Sequence, residues 1–418
     1  MHGLARLAFL LALLGTPAMA AHVVISCGSM GVELETCRTG AEAWAKRTGN
    51  SVEVLASPAS SGERLAQMQL LLAAKSPDID VFLVDTTWPG ILGDFFLDLS
   101  GLTQAGEFFA SFVRNNRVGP KLVALPWFID AGLLFYRKDL LAKYGERPPE
   151  TWKELTRIAG KIQAGERQAG NPRFWGYVFQ GRAYEGLSCN GLEWIESSGG
   201  GGILDEAGRV TVNNPNAAAA LALAASWVGS ISPRGVLNYM EEESRGVFQS
   251  GNAAFLRNWP YVWKLANAPD SPVRGKVGMK PLPRGLAPGS NPVATLGGWS
   301  LAVSRHSRNP QAAMSLVRYL TGSEEQKRRT LVLGQYPTIP ALYRDPALVR
   351  ERPELPELYE VFSRAVARPS AIAGPRYNRA SAEMWESYHQ ALSGERSAGS
   401  ALEELAQRLE FLSRGGKW

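Results

Sequence analysis

Residues 124–141 read ALPWFIDAGLLFYRKDLL. The first thirteen of these residues, 124–136, form the long apolar run expected of buried strand, and Asp130 is the one carboxylate within it. A charged side chain among apolar residues is costly unless it has a partner or binds something. Asp130 is therefore the first candidate site residue.

Upstream of this stretch, short apolar strands alternate with amphipathic helices. The pattern predicts strands at 23–26, 52–55 and 79–84, with helices at 35–46 and 63–75 between them. Such alternation is typical of an α/β lobe with a largely parallel sheet. Ligands of such sheets bind beyond the carboxyl ends of the strands. Asp85 follows the third strand directly and is a second candidate site residue.

Downstream, the helix signals are clear. Thr151 and Glu154 form a capping box that opens a helix to about residue 163. Ser400–Glu403 is predicted to cap a last helix, with an apolar stripe at Leu402, Leu405, Leu409 and Leu412. A chain of 418 residues with 45% apolar residues favours two lobes, each with its own core.

The N-terminus has the pattern of an export signal. Arg6 supplies positive charge, residues 7–14 are apolar, and residues 17–20 suit signal peptidase, so a signal peptide is predicted over 1–20. The alternative is a buried N-terminal helix. The densest later apolar stretch, 217–228, is too short to span a bilayer. We expect a protein secreted across the inner membrane, in the periplasm or at the cell surface.

Three cysteines are present: Cys27, Cys37 and Cys189. In an oxidising compartment Cys27 and Cys37, ten residues apart, could join the end of the first strand to the next helix by a disulfide, leaving Cys189 as a buried thiol. A competing interpretation is that residues 24–27 form a lipobox with Cys27 lipidated. Residues 22–26 look like the first strand, however, and Ala20 already offers a cleavage site.

Several kinds of chemistry lack their motifs. The four histidines have no ligand spacing, so no metal site is expected, and neither a G-x-S-x-G elbow nor a dinucleotide fingerprint occurs. The glycines at 199–202 lack the residues of a phosphate loop and are better explained as a turn. A net charge of +6 is spread along the chain and indicates no nucleic-acid partner.

Carboxylates and aromatic residues remain. Glu33, Asp85 and Asp130 could be the acid and nucleophile of a glycosidase, or they could accept hydrogen bonds from sugar hydroxyls without catalysis. Aromatic side chains that could stack on sugar rings are concentrated at 127–128, 259–263 and Trp299. Taken singly, each tryptophan is more typical of a core than of a binding site.

Three segments together resemble a known family. They are residues 124–141, residues 248–261 (FQSGNAAFLRNWPY) and residues 295–304 (TLGGWSLAVS). Their order and spacing are similar to those of the maltose/trehalose-binding family of ABC transporter solute-binding proteins, over essentially the whole mature chain. The resemblance implies a two-lobed α/β periplasmic-binding-protein fold of the maltose-binding-protein-like type II, with the ligand cleft between the lobes. The implied division is 21–128 and 301–336 for the N-terminal lobe, and 129–300 and 337–418 for the C-terminal lobe.

The resemblance also implies a function. The protein would be the non-enzymatic sugar-binding component of an ABC importer, a monomer without cofactor or metal. It would bind an α-glucosyl disaccharide of the trehalose, maltose, sucrose or palatinose type and deliver it to the transmembrane subunits of the permease. The alternatives are a secreted glycoside hydrolase and a binding protein for a peptide, metal or polyamine.

The ligand-binding residues that the resemblance implies fall on positions that match the family's motifs. Hydroxyl acceptors are expected at Glu33 (or Glu35), Asp85 and Asp130, and donors at Arg64 and Arg368. The remaining expected site residues are Ser60, Phe128, Trp259, Tyr261, Gly298 and Trp299. Phe128 departs from the pattern. The family members that this chain resembles have Tyr at this position, and this chain lacks that hydroxyl. Residues 370–377 also depart from it.

Overall fold

The structure is a computed structural model that describes residues 20–29, 31–58 and 61–418. Its strands are β1 His22–Ser26, β2 Ser51–Leu55, β3 Val81–Asp85, β4 Arg117–Val118, β5 Lys121–Leu122, β6 Leu125–Ala131, β7 Leu133–Arg137, β8 Trp175–Val178, β9 Ala253–Asn258, β10 Val277–Pro281 and β11 Leu296–Val303. Its helices are α1 Gly31–Thr48, α2 Ser61–Ala73, α3 Pro89–Leu92, α4 Ala110–Asn115, α5 Lys138–Lys143, α6 Trp152–Gln168, α7 Glu185–Ser197, α8 Pro215–Trp227, α9 Glu241–Gln249, α10 Val262–Ala266, α11 Pro310–Leu320, α12 Ser323–Leu333, α13 Pro346–Glu351, α14 Leu355–Ser363, α15 Ser370–Ala373, α16 Tyr377–Ser393 and α17 Ala398–Ser413.

Two sheets organise the molecule, and each lies in one lobe. The first sheet has the order β2-β1-β3-β11-β6, and the second has the order β10-β7-β9-β8. In the first sheet β1 is parallel to β2 and β3, whereas β11 is antiparallel to both β3 and β6. Since β11 opposes both of its neighbours, β3 and β6 run in the same direction and end at the same edge. The predicted α/β class and largely parallel first sheet are confirmed, with β11 as the antiparallel exception.

The apolar run at 124–136 is not one strand. It divides into β6, in the first sheet, and β7, in the second, with Gly132 between them. A side chain at this position would collide with the neighbouring lobe's interior, because a Cβ on Gly132 would lie 2.0 Å from Oε1 of Glu193. The chain therefore crosses between lobes at a residue that has no side chain.

The strand positions can be compared with the predicted boundaries between the lobes. The predicted boundary at residue 129 falls inside β6, and the predicted boundary at residue 301 falls inside β11. Both strands belong entirely to the first sheet. Isolated bridges join Ile129 to Tyr336 and Thr295 to Val366 where other segments pass between the lobes. The division remains a proposal, with crossings that we now draw at Gly132 and just before β11.

Each lobe has a substantial apolar core. In the first lobe α1 and α11 cover one face of the sheet, and α2 and α3 cover the other. In the second lobe α7, α8, α16 and α17 pack against β7, β8 and β9. The stripe on α17 belongs to this core, with Leu402, Leu405 and Leu409 buried and Leu412 partly buried.

Two helix starts test the capping predictions. Thr151 accepts a hydrogen bond from the backbone of Glu154 in the predicted capping box, and α6 continues to Gln168. The start of α17 was predicted wrongly. Its N-cap is Ser397, whose side chain accepts from the backbone N–H of Ser400, so the helix begins earlier than residue 400. Gly399, two residues after this N-cap, weakens the helix signal in the sequence at this point.

The structure contains the disulfide between Cys27 and Cys37, which ties the end of β1 to α1, while Cys189 is a buried free thiol. The predicted signal peptide lies outside the described residues except for Ala20. Within the described ranges, no helix combines the length and the apolar character needed to cross a membrane.

Candidate functional site

The candidate site lies at the edge where β3 and β6 end and β11 begins. Trp299 of β11 is in register with Asp85 of β3 on one side and with Phe128 of β6 on the other. Two residues earlier on β11, Gly297 is in register with Asp130. The sheet itself therefore brings Asp85, Asp130 and Trp299 to one place.

Asp85 is held in a defined orientation. Its Oδ1 accepts hydrogen bonds from the backbone N–H and the hydroxyl of Thr87, at 2.9 and 2.8 Å, and from the Thr86 hydroxyl at 3.4 Å. Within the described part of the chain, Oδ2 accepts none. The side chain is 21% exposed. The loop after β3 thus fixes one oxygen of the carboxylate and leaves the other available.

Asp130 is a carboxyl group in an unfavourable place for a charge. Its side chain is partly exposed, but its surroundings are apolar residues of β6. Burial, and secondarily the charge of Asp85, raise the pKa of Asp130 to about 7. Near neutral pH the group is therefore divided between a protonated donor and an ionised acceptor.

Trp299 forms one aromatic wall. The guanidinium of Arg64 lies over its ring, 4.6 Å from the centroid, and the Trp88 ring packs edge-on at 5.4 Å. Burial lowers the pKa of Arg64, against the opposing effects of Glu33 and Asp85. Gly298 precedes the tryptophan at φ +112°, and a Cβ there would lie 2.2 Å from the carbonyl oxygen of Phe128.

A second aromatic wall comes from the other lobe. Trp259 follows β9, and its indole N–H donates to Glu241 Oε1 at 3.2 Å, while Tyr261 donates to Glu242 at 2.5 Å. A Cβ on Gly297 would lie 3.0 Å from the Trp259 ring and 3.3 Å from the Cβ of Asp130. Trp259 and Asp130 therefore both lie against Gly297, two residues before Trp299 on β11.

Arg368 connects the lobes. Its guanidinium donates to Glu185 Oε1 of the second lobe at 2.6 Å and to the Thr86 hydroxyl of the first lobe at 2.8 Å, and it lies 3.8 Å from Asp85. Glu185 also accepts hydrogen bonds from the hydroxyls of Tyr377 and Ser381. Burial lowers the pKa of Arg368, but the neighbouring Cys189, Tyr377, Glu185 and Asp85 raise it further, so that the net shift is well upward.

The structure distinguishes between Glu33 and Glu35, the two alternative site residues at the start of α1. Glu33 is close enough to Arg64 and Arg329 to raise the pKa of each, although burial lowers both. Glu35 is exposed and instead pairs with Arg38 at 3.7 Å on the helix surface. Glu33 is thus the glutamate that lies toward the candidate site.

Two further predicted site residues are Phe128 and Ser60. Phe128 is only 6% exposed, and the guanidinium of Arg329 lies 5.3 Å from its ring centroid. Phe128 can therefore contribute only a small part of its ring to the surface of the site. Ser60 lies outside the described residues.

Sequence reasoning missed several residues around the site. Glu185 and Glu241 open helices and have the composition of first turns that is more typical of surface acids than of site residues. Glu193 and Arg257 form a buried pair with an Nη2–Oε1 distance of 2.5 Å. Arg257 sits within the apolar strand β9, and a charged residue in such a strand was a signal that could have identified it.

The arrangement has the chemistry of recognition. It offers carboxylate acceptors, guanidinium donors and two tryptophan rings, which suit a ligand with hydroxyl groups around apolar faces. Among the described residues, no group of His, Cys, Asp and Glu side chains could hold a metal ion.

Comparisons with known proteins extend these observations. The family model described as bacterial extracellular solute-binding protein matches residues 34–327. A probable ABC transporter-binding protein of Deinococcus radiodurans is 48% identical over 405 residues, covering 96% of each chain. Among solved structures, maltose-bound MalE3 of T. maritima is 39% identical with a TM-score of 0.84, over 94% of this chain and 100% of that one. The cyclic α-maltosyl-1,6-maltose binding protein of Arthrobacter globiformis is 20% identical with a TM-score of 0.78, covering 94% and 99%.

Proposed function

Because the chain belongs to the bacterial extracellular solute-binding protein family, and is therefore a binding protein and not an enzyme, we propose that it captures an α-glucosyl disaccharide for an ABC importer. The observation that carries the proposal is the meeting of Asp85, Asp130 and Trp299 at one sheet edge, opposite Trp259. Family membership also decides against the secreted glycoside hydrolase that the carboxylates alone allowed.

The site chemistry suits a sugar. Among the described residues, Oδ2 of Asp85 accepts no hydrogen bond and the carboxyl group of Asp130 has no hydrogen-bond partner, so both can accept hydrogen bonds from vicinal hydroxyls. Arg64 can donate to a sugar oxygen while it stays stacked on Trp299. The tryptophan rings bury the apolar faces of the sugar rings, which drives association in water.

The two-lobed architecture supplies the mechanism. Residues on both lobes would contact one ligand, which therefore binds the closed arrangement better than the open one. Such a ligand shifts the equilibrium toward closure through hinge motion at the crossing segments. Arg368 already has partners on both lobes, as expected of a residue that acts in the closed arrangement.

A disaccharide with an α-glucosyl unit is the ligand class that we favour, of the trehalose, maltose, sucrose or palatinose type. The maltose-bound relative, at 39% identity over nearly the whole chain, supports it. Phe128 cannot provide the hydroxyl that the resemblance would lead one to expect, so selectivity within this class is expected to differ from that of its relatives.

The cellular setting follows from the same premise. A periplasmic or cell-surface monomer, exported by the signal peptide over 1–20, would deliver the sugar to the transmembrane subunits of a permease. The disulfide between Cys27 and Cys37 suits an oxidising compartment outside the cytoplasm.

The test is a thermal-shift screen of the purified protein against the four disaccharides, followed by calorimetric titration. A ligand present at 100 times its dissociation constant should stabilise the protein by about 2.7 kcal/mol. Glucose, a monosaccharide, and mannitol, a sugar alcohol, serve as small-ligand controls, and Asp130→Asn serves as a matched variant. The proposal fails if no disaccharide raises the melting temperature, or if each does so equally in the variant.

A further inference from the structure

A buried ion pair lies directly behind the candidate site. The guanidinium of Arg257 donates to both carboxylate oxygens of Glu193, with Nε–Oε2 at 2.8 Å and Nη2–Oε1 at 2.5 Å. The two side chains are 1% and 0% exposed. Gln180 completes the guanidinium's bonding by accepting from Nη1 at 3.2 Å. A pair this deeply buried is costly to desolvate, so it is weak evidence for a role in stability alone.

The pair contacts the segments that pass between the lobes. Glu193 Oε1 accepts a hydrogen bond from the backbone N–H of Thr295 at 3.1 Å, just before β11. Gly132, between β6 and β7, has its backbone against the pair, since a Cβ there would lie 2.0 Å from Glu193 and 2.7 Å from Arg257. Thr295 is in turn bridged to Val366. Three crossing segments are therefore in contact with the pair or one residue away from it.

The same guanidinium also supports the aromatic wall. Its Cζ lies 4.3 Å from the centroid of the Trp259 ring. That ring approaches Gly297, whose register partner is Asp130. A continuous series of contacts thus runs from Glu193 through Arg257 and Trp259 to the edge of the site.

We propose that Arg257, held by Glu193, is a positioning residue that fixes the Trp259 ring in the sugar site and couples it to the hinge. This inference rests on the proposed sugar-binding function. Arg257 does not contact the ligand. It fixes the tilt of the ring through the cation–π contact, and Glu193 keeps the guanidinium aligned with the crossing backbone.

The experiment separates positioning from structural support. Arg257→Gln alone leaves Glu193 as an unpaired buried charge and should lower the melting temperature strongly. Adding Glu193→Gln removes that charge and keeps an acceptor for Thr295, so the melting temperature should recover. Affinity for the best disaccharide should not recover, and should stay at least about tenfold weaker than in the wild type.

A matched control neutralises another pair of the second lobe. Arg137→Gln with Asp139→Asn removes the ion pair at the end of β7, which has no contact with Trp259. This control should bind sugar as the wild type does. Arg257→Lys, which keeps the charge but lacks the planar fork, provides a second variant if the double substitution does not fold, and it should also weaken binding.

A readout without ligand keeps the inference independent of the sugar's identity. In protein labelled with 5-fluorotryptophan, the Trp259 resonance can be assigned by its loss in Trp259→Phe. It should shift or broaden in the Arg257 and Glu193 double variant and in Arg257→Lys, and stay unchanged in the control pair. An unchanged Trp259 resonance, or sugar affinity that recovers together with the melting temperature, overturns the inference. If the wild type binds no disaccharide, the proposed function fails, and the resonance alone still decides the role of Arg257.

Discussion

The guanidinium of Arg64 covers the ring of Trp299, with its Cζ 4.6 Å from the ring centroid. One face of the indole is therefore occupied by a cation from α2, while Trp88 meets the ring edge-on. Under the proposed function, the part of the Trp299 ring that stays exposed is the part that stacks on sugar. The arrangement also holds Arg64, whose pKa burial lowers, beside the ligand before binding occurs.

Trp299→Ala should weaken disaccharide binding by roughly 10- to 150-fold, because it removes a stacking surface and the support of Arg64. Trp299 is only partly buried, so the ligand-free protein should stay folded with a modestly lower melting temperature. Trp44→Phe, at a fully covered core position, is the control and should change stability without changing affinity. Calorimetric titration and thermal melts measure both. Unchanged affinity in Trp299→Ala would make Trp299 a core residue only.

Asp130→Ala should also weaken binding by roughly 10- to 150-fold, since hydrogen bonds from hydroxyls to a charged acceptor contribute about 1.5–3 kcal/mol. The ligand-free protein should be no less stable at pH 8, because a carboxylate among apolar groups is costly. Asp270→Ala removes an exposed carboxylate and should leave affinity unaltered. Equal affinities of the two variants in calorimetry would contradict a binding role for Asp130.

The pKa of Asp130 predicts a pH dependence of stability. Its folded pKa of about 7 lies above the ordinary 3.8, because of burial first and Asp85 second. Between those values the folded state binds a proton that the unfolded state has lost, so the free energy of unfolding should fall as pH rises from 4 to 7. Urea denaturation across this range should show a steeper fall for the wild type than for Asp130→Asn. Parallel curves for the two proteins would refute the shift.

Gly298→Ala should destabilise the protein by more than about 2 kcal/mol. The backbone at φ +112° disfavours any side chain, and the added Cβ would lie 2.2 Å from the carbonyl oxygen of Phe128. Gly399→Ala is the control, because a Cβ there meets nothing within 4 Å near the start of α17. Its free energy of unfolding, measured with urea, should be unchanged or slightly higher. Similar values for the two variants would show that β11 relaxes around Gly298.

The thiols should show one disulfide and one protected cysteine. Burial raises the pKa of Cys189 to about 12, so a thiol reagent should find no reactive group in the native protein and one after denaturation without reductant. Intact-mass measurement of the exported protein should give a chain that starts at Ala21 with Cys27 and Cys37 joined. An acylated Cys27 would contradict both the cleavage site and the disulfide.

Much of the first lobe could be predicted because its signals are local. Strand and helix periodicity gave the α/β class, and the position of Asp85 at a strand end indicated a site residue. The division of 124–136 into two strands could not be read from periodicity, because both halves are apolar. What separates them is the steric demand of Glu193 on Gly132, which lies 61 positions away in the chain.

The residues of the candidate site also fall into those that could be predicted from sequence and those that could not. Residues that stand out chemically, such as Asp130 in an apolar run, were found from sequence. Residues whose importance depends on a distant partner were not. Glu185 matters because it accepts from Arg368, and Glu241 because it accepts from Trp259, and each pair is brought together by the packing of elements that are apart in the chain.

The double attachment of Arg368 has a kinetic consequence. Its bonds to Thr86 on one lobe and Glu185 on the other cannot both survive a wide separation of the lobes. Opening of the lobes therefore has to break at least one of these bonds, whereas diffusion into an already open cleft does not involve them. Changes at Arg368 should accordingly shorten the residence time of a bound sugar far more than they slow its capture.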